Sequence, residues 1–361
     1  MLKTLSLLWI VAGCLLSVLY IFCGVSSFVS PESFPYSIFL SLGYPFALLA
    51  QVLLILVTLF ISKKWALVYL TVLLTGIVSL RNTFAFHPFN PSFHTAKQQS
   101  VLRIMTWNVR EFNCLHPQGP DCSSAEAIAG IVKAYWPDVI CFQEYSNTVN
   151  GNPDMTAILN RAGYRYSAFA DLNTGSQIGT VIFSRLPILK HDTLLMNRQS
   201  WEHVLRCDVS FEGKPVSIFT THLQSFSLYS DTTQTHSVLG QYKIAYQRKR
   251  IFYHKLKDIE IAHVEEAKLI RRFMSQTTNP VIFCADINAT PASYTYGKLK
   301  DHLQDVYLEA GFALGATYYS LVPTLRIDIC LADQKFQVKQ ATVKRVYLSD
   351  HFPVIADLQW K

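Results

Sequence analysis

Pro137-Asp138-Val139-Ile140-Cys141-Phe142-Gln143-Glu144 is a short apolar run with polar residues at both ends. It is apolar on both faces and too short for a helix, which predicts a strand, Asp138–Gln143, covered on both sides. Glu144 then stands at the strand's end. The same pattern recurs outward along the chain at Val101–Val109, Gly179–Ser184, Val204–Phe211, Val216–Thr221, Pro280–Ala285, Ile327–Ala332 and Pro353–Leu358. Helical patterns lie between these runs. Ser123–Trp136 has Ser123 or Ser124 as its N-cap and Pro137 as its stop, and Ala262–Gln276 and Lys298–Ala310 are similar, the latter followed by Gly311. Strands alternating with helices from residue 101 to residue 361 predict a single α/β domain.

The first hundred residues differ in kind. Leu5–Phe28, Tyr36–Ile61 and Trp65–Leu80 contain no charged residue. About 20 helical residues cross a bilayer core. The first two runs meet this length, and the third does so if it extends a few residues past Arg81. Three transmembrane helices are expected, at about 5–28, 36–61 and 65–82. Val11-Ala12-Gly13-Cys14 has the look of a lipoprotein cleavage site, but the apolar run continues past Cys14, which favours a retained helix over a signal peptide. Lys3 precedes the first span, Lys63-Lys64 separate the second from the third, and the loop between the first two has no Lys or Arg. The bias of basic residues towards the cytoplasm then places the chain in the cytoplasmic (inner) membrane with everything after Arg81 outside the cytoplasm. Residues 83–100 read as a linker, with His87-Pro88 and Asn90-Pro91 as turn signals.

Charge excludes little. The net charge of +7 is concentrated at the N-terminus, where residues 1–97 hold five basic groups and one acidic group. The remaining chain has 27 basic and 24 acidic residues, too even a balance to indicate a nucleic-acid-tracking surface. Gln241–Lys257 is basic and aromatic together, with Lys243, Arg248, Lys249, Arg250, Lys255 and Lys257 among Tyr242, Tyr246, Phe252 and Tyr253. It suits anionic lipid heads, a nucleic-acid backbone or an ordinary amphipathic surface.

The chemistry-bearing residues sit at strand ends, where a rigid sheet can gather them. They are Asn108, Glu144, His222, Asp286 with Asn288, Asp328, and Asp350-His351. Each alone reads as a turn, a cap or a core residue. As a set, carboxylates and an amide oxygen suit a hard cation such as Mg²⁺, with Mn²⁺ as the alternative. A histidine paired with a carboxylate can orient or deprotonate water. Close-spaced Cys/His ligand pairs, the mark of zinc, are missing.

Taken in order, these runs resemble the endonuclease/exonuclease/phosphatase superfamily over about Val101 to Trp360. The resemblance rests on Met105-Thr106-Trp107-Asn108, on Pro137 to Glu144, on Thr221-His222-Leu223-Gln224, on Ala285-Asp286-Ile287-Asn288 where the family has Gly-Asp-Phe-Asn, and on Ser349-Asp350-His351 before Pro353-Val354. It implies a four-layer α/β sandwich, two packed mixed sheets flanked by helices. It also implies roles. Glu144, with Asn108 and Asp350, would hold Mg²⁺. Asp286 would handle a proton, Asn288 would position the phosphate or nucleophile, and His222 would donate to a phosphate oxygen. His351, oriented by Asp328, would be the second catalytic histidine. Ala285 and Ile287 depart from the family pattern without removing a reacting group.

The expected function is metal-dependent hydrolysis of a phosphodiester by a membrane-anchored enzyme. The substrate would be a lipid head group or another membrane-proximal phosphate, because Thr221-His222-Leu223-Gln224 resembles the sphingomyelinase branch. An extracytoplasmic nuclease and a non-catalytic membrane binding module are the alternatives. No protein partner is expected. Cys141, Cys207, Cys284 and Cys330 lie in strand-like runs and read as core thiols. Cys114 and Cys122 flank a polar loop, and are expected to form a disulfide if the domain is extracytoplasmic, or else free thiols or, with His116, a weak metal site.

Overall fold

A computed structural model describes residues 2–90, 92–113, 124–146, 154–170, 178–197, 202–225, 238–320, 322 and 324–361, with side chains of the helix that begins at Val238 described from Tyr253 onward. The pair Cys114 and Cys122 lies outside the described residues, as do His116 and most side chains of the basic Gln241–Lys257 segment.

In chain order the elements are α1 (Leu2–Val25), α2 (Ser37–Ile61), α3 (Lys63–Thr75), α4 (Ile77–Thr83), β1 (Ala85–Phe86), β2 (Leu102–Asn108), α5 (Ala125–Tyr135), β3 (Val139–Ser146), α6 (Met155–Arg161), β4 (Tyr166–Phe169), β5 (Ile178–Ser184), β6 (Ile188–Asn197), β7 (Glu202–Phe211), β8 (Lys214–His222), α7 (Val238–Met274), β9 (Val281–Asp286), α8 (Tyr294–Lys300), β10 (Gln304–Asp305), α9 (Val306–Ala310), β11 (Phe312–Ala313), β12 (Asp328–Ala332), β13 (Phe336–Val343) and β14 (Val354–Trp360). Two six-stranded mixed sheets form, ordered β13-β14-β2-β3-β5-β4 and β10-β12-β9-β8-β7-β6. Only β2–β3 and β8–β9 pair in parallel among these neighbours.

Alternation along each strand sorts the core into layers. Ile104, Cys141, Ile182, Cys207, Ile218, Cys284 and Cys330 point between the sheets. Met105, Ile140 and Phe142 point outward, under Ile128 and Val132 of α5 and Leu159 of α6. On the other sheet Phe283 and Leu331 meet Ile270 of α7 and Tyr296 of α8. Helix, sheet, sheet, helix is the expected four-layer α/β sandwich. The four strand cysteines are buried core thiols, as their context predicts.

All eight expected strands are present. The expected helix Lys298–Ala310 is not one helix: α8 ends at Lys300, β10 follows, and α9 begins at Val306. The cause is local. Asp305 accepts from the backbone N–H of Tyr307 and Leu308, a new N-cap in mid-pattern, while the Gln304 amide donates to Asp333 O and Phe336 O. The expected helix Ala262–Gln276 falls in the last third of the longer α7, which ends at Met274.

Ser6–Phe28 and Ser37–Ile61 are long and apolar enough to cross a membrane. Their outward faces expose Leu8, Leu15, Phe22, Leu49 and Phe60, while Ser17 and Gln51 face inward and bond to each other. The third expected span is broken. α3 and α4 meet at a 65° bend, so they make one span only if the bent pair counts as one. Gly76 sits at the break, where the Tyr20 ring lies so close that an added Cβ would collide with its hydroxyl. The Tyr20 and Tyr44 hydroxyls donate to Leu73 O and Gly76 O, carbonyls at the break.

The helical region is joined to the sandwich. The end of α1, the start of α2 and the end of α4 all touch it, through Ser26 Oγ to Ala292 O, Thr290 Oγ1 to Ser41 O, and Lys300 Nζ to Asn82 Oδ1. Residues 83–100 are docked as well. β1 pairs with β11, Asn90 donates to Ala310 O, and the carbonyls of His94 and Thr95 accept from the buried Arg103 guanidinium.

Candidate active site

Strand register gathers the site. His222 ends β8, Asp286 ends β9 and Asp328 begins β12. The three are direct cross-strand neighbours, His222 beside Asp286 and Asp286 beside Asp328. Across the sandwich, Asn108 ends β2 beside Gln143 of β3, one residue before Glu144. The β3–β5 register shifts between Phe142 and Tyr145, and Glu144 takes the left-handed conformation there, φ 47°. Asn288, two residues past β9, is also left-handed at φ 47°. Such backbone needs its surroundings to hold it. Here it turns two polar side chains into one cavity.

Asn108 links the two sheets. Its amide nitrogen donates to Glu144 Oε1 at 2.9 Å and to Asp286 Oδ2 at 3.0 Å, and its oxygen accepts from Arg110 N. Asp286 also accepts from the backbone N–H of Asn288 at 3.1 Å. The Asn288 amide lies 3.0 Å from His222 Nε2 and donates to Leu223 O. His222 Nε2 is 3.6 Å from Glu144 Oε1 and 3.5 Å from Asp286 Oδ2. His351 is buried, its Nδ1 2.8 Å from Asp328 Oδ2 and its Nε2 3.6 Å from Asp286 Oδ2. Burial acts to lower the His351 pKa, but the charges of Asp328 and Asp286 overcome it and hold it at about 10. The two carboxylates thus favour the protonated imidazole.

The strand-end residues named in the sequence reach this one place. Glu144, His222, Asp286, Asn288, Asp350 and His351 line a single cavity of about 300 Å³. Asn108 and Asp328 stand just behind it, bonded to lining residues. Tyr318 and Glu260 also line the cavity and were not anticipated. The Tyr318 ring lies 4.8 Å from the His351 ring and joins it through an isolated β-bridge. Neither carries a local sequence signal, because a tyrosine in a loop and a glutamate in an amphipathic helix are ordinary. Burial raises the Glu260 pKa to about 7.

The donor set fits a hard divalent cation. Glu144, Asp286 and Asp350 face one space, and the crowding extends to Glu111, whose carboxyl is raised by burial and by the Glu144 charge. Asp350 has an ion pair with Arg110, whose Nε is 3.8 Å away and whose side chain is half-buried. Oxygen donors with excess negative charge suit Mg²⁺ or Mn²⁺. Asp286, Asp328 and His351 also lie close enough to share an ion. The short His351–Asp328 hydrogen bond makes that group a histidine–carboxylate pair instead, with one lone Asp328 oxygen, Oδ1, left without a hydrogen bond.

Comparison with known proteins bears on the family and the fold. The family model described as the Endonuclease/Exonuclease/phosphatase family matches residues 105–351. Residues 5–83 match a model described as a domain of unknown function. No curated protein matches the chain. Among solved structures, an endonuclease/exonuclease/phosphatase from Beutenbergia cavernae has a TM-score of 0.52 at 20% identity, covering 73% of this chain and 72% of its own. The mannosyl-6-phosphatase of Bacteroides thetaiotaomicron has a TM-score of 0.53 at 19% identity, covering 72% of this chain and 100% of its own. The catalytic domain of human Nocturnin, solved with a bound sulfate, has a TM-score of 0.51 at 16% identity, covering 73% and 95%. At such identities the likeness speaks for the fold, while the family match spans more than half of the chain. The chain belongs to the Endonuclease/Exonuclease/phosphatase family.

Proposed function

We propose that this protein is a membrane-anchored, divalent-metal-dependent phosphoesterase that cleaves a phosphodiester at the membrane surface. The observation that carries this reading is the single cavity in which Glu144, His222, Asp286, Asn288, Asp350 and His351 meet beside the start of α2. Glu144 and Asp350, with Asn108 orienting Glu144, would hold Mg²⁺ or Mn²⁺. The ion would polarise a phosphoryl oxygen and offset the charge that develops on it.

The chain's own residues supply the rest. His222 and the Asn288 amide are 3.0 Å apart and would together donate to the phosphate. Asp286 is held by Asn108 and by the Asn288 backbone, so its carboxylate can align the attacking water and take its proton. His351, cationic beside Asp328, would donate to the phosphate or the leaving oxygen. The anchor is α1 and α2. Lys63 and Lys64 lie at the end of α2 remote from the sandwich, about 36 Å along the helix. The bias of basic residues then places the active site outside the cytoplasm.

The test is the full chain in detergent with Mg²⁺, Mn²⁺ or chelator, given bis-4-nitrophenyl phosphate, phospholipid vesicles, single-stranded RNA and abasic DNA. Hydrolysis that needs the metal is expected, with phospholipid cleaved faster than nucleic acid. Faster cleavage of RNA or DNA would replace the lipid reading with an extracytoplasmic nuclease. No turnover on any substrate would leave a binding module and refute the enzyme.

A further inference from the structure

We propose that the first turns of the membrane helix α2 form an apolar subsite of the active site, which seats the hydrocarbon tail of an amphiphilic phosphate ester drawn from the bilayer. This rests on the phosphoesterase reading above and adds the substrate's second half.

The cavity lining is of two kinds. One is the carboxylates and histidines already described. The other is an apolar wall of Ile38, Phe39 and Leu42 of α2, Leu256 of α7, and Leu325 and Ile327 before β12. Ile38, Leu256, Leu325 and Ile327 are buried, whereas Phe39 is 43% exposed and Leu42 half-buried, so the wall is open on its membrane-helix side. A phosphate with only a small polar substituent makes no use of such a wall, and a methylene chain does.

Three observations point to a lipid tail. First, the wall belongs to a helix long and apolar enough to cross a membrane, so the opening lies where the bilayer begins. Exposed Phe34 and Tyr36 sit at this end, and the Tyr253 ring of α7 stacks at 5.1 Å on Tyr36 and at 6.4 Å on Phe39. Aromatic rings gather at membrane–water interfaces in this way. Second, the wall is fixed to the catalytic loop. Thr290, two residues past Asn288, donates to Ser41 O, and Ser26 donates to Ala292 O. Third, the described residues lining the cavity include Glu144, Glu260, Asp286 and Asp350 but no Lys or Arg. A long polyanion needs cations along its path, whereas a single phosphate with an apolar tail needs only the metal ligands and the wall.

The test uses the full chain in nanodiscs and a series of alkyl 4-nitrophenyl phosphate diesters of increasing chain length. In the wild type, kcat/KM should rise about two- to fourfold per added methylene until the slot is filled. Leu42→Trp, which fills the slot, and Phe39→Ser, which makes the wall polar, should each flatten this slope. Simple partitioning into the nanodisc would leave the slope the same in all three, and that result would overturn the subsite. A second readout needs no turnover: calorimetric titration with dodecylphosphonate and methylphosphonate, empty nanodiscs subtracted. Dodecylphosphonate should bind the wild type at least about tenfold more tightly than either variant, with methylphosphonate unchanged. Equal dodecylphosphonate affinity across the three proteins would refute the subsite. Absent turnover with chain-selective binding would instead refute the phosphoesterase reading alone.

Discussion

Asp328→Asn is the sharpest probe of the proposed chemistry. Asp328 is buried in the sandwich, and its Oδ2 meets His351 Nδ1 at 2.8 Å. The substitution keeps the shape and removes the charge. A charge-assisted hydrogen bond of this kind contributes about 1.5–3 kcal/mol. If that orientation matters only in the transition state, kcat should fall about ten- to 150-fold with KM little changed. A second effect has a definite sign. His351 is held at about 10 because Asp328 and Asp286 outweigh burial. Without one of the two carboxylates, burial gains ground and the His351 pKa falls. The alkaline limb of the pH–rate profile should then move to lower pH. The assay is kcat and KM on a soluble phosphodiester at saturating Mg²⁺ across that limb, with circular dichroism to confirm folding. A folded variant with kcat within threefold of wild type and an unmoved limb would show that the Asp328–His351 pair is structural only.

Other outcomes follow from separate parts of the molecule. Glu144→Gln should lower metal-dependent turnover by more than about a hundredfold, since loss of a metal carboxylate forfeits several kcal/mol of charge stabilisation, and metal titration should show a raised half-saturation concentration; unchanged metal dependence would move the ion elsewhere. Glu260 has its pKa raised by burial to about 7, so the folded state keeps a proton that the unfolded chain releases near pH 4.5. Its contribution to stability is complete below the unfolded value and is lost as pH rises towards about 7, an order-of-magnitude effect of about 3 kcal/mol. Thermal unfolding should show wild-type Tm falling over that range and Glu260→Gln falling less, whereas a lower Tm for the variant at pH 8 would contradict the argument. Asp357→Asn leaves the fully buried Arg103 guanidinium without its partner at 2.6 Å, so a loss of about 3–5 kcal/mol is expected in denaturant unfolding. An unchanged midpoint would mean that the carbonyls of Thr95 and Tyr135 satisfy Arg103 unaided.

Much of the fold was legible because strands buried on both faces are written as continuous apolar runs, and all eight such runs in the sandwich became strands. The strands that escaped notice are of another kind. β6 and β13 are largely half-buried or exposed sheet-edge strands with mixed polarity, so no apolar run marks them. The false helix Lys298–Ala310 shows the converse. Its periodicity is real, but Asp305 and Gln304 take partners that a continuous helix would deny them.

The sequence by itself named the candidates for the chemistry. Asn108, Glu144, His222, Asp286, Asn288, Asp328, Asp350 and His351 stand at strand ends in an order that resembles one family, and it is the order, not any one of them, that singles them out. Two long uncharged runs likewise announced helices apolar enough for a membrane. Tertiary structure alone decided how these parts meet. Strand register set His222, Asp286 and Asp328 side by side, and the left-handed turns at Glu144 and Asn288 aimed them inward. It also broke the third apolar run at Gly76 and brought Ile38, Phe39 and Leu42 to the wall of the cavity. No local pattern encodes that wall, because its residues belong to a run apolar enough for a membrane and acquire a second neighbour only when the sandwich docks against them.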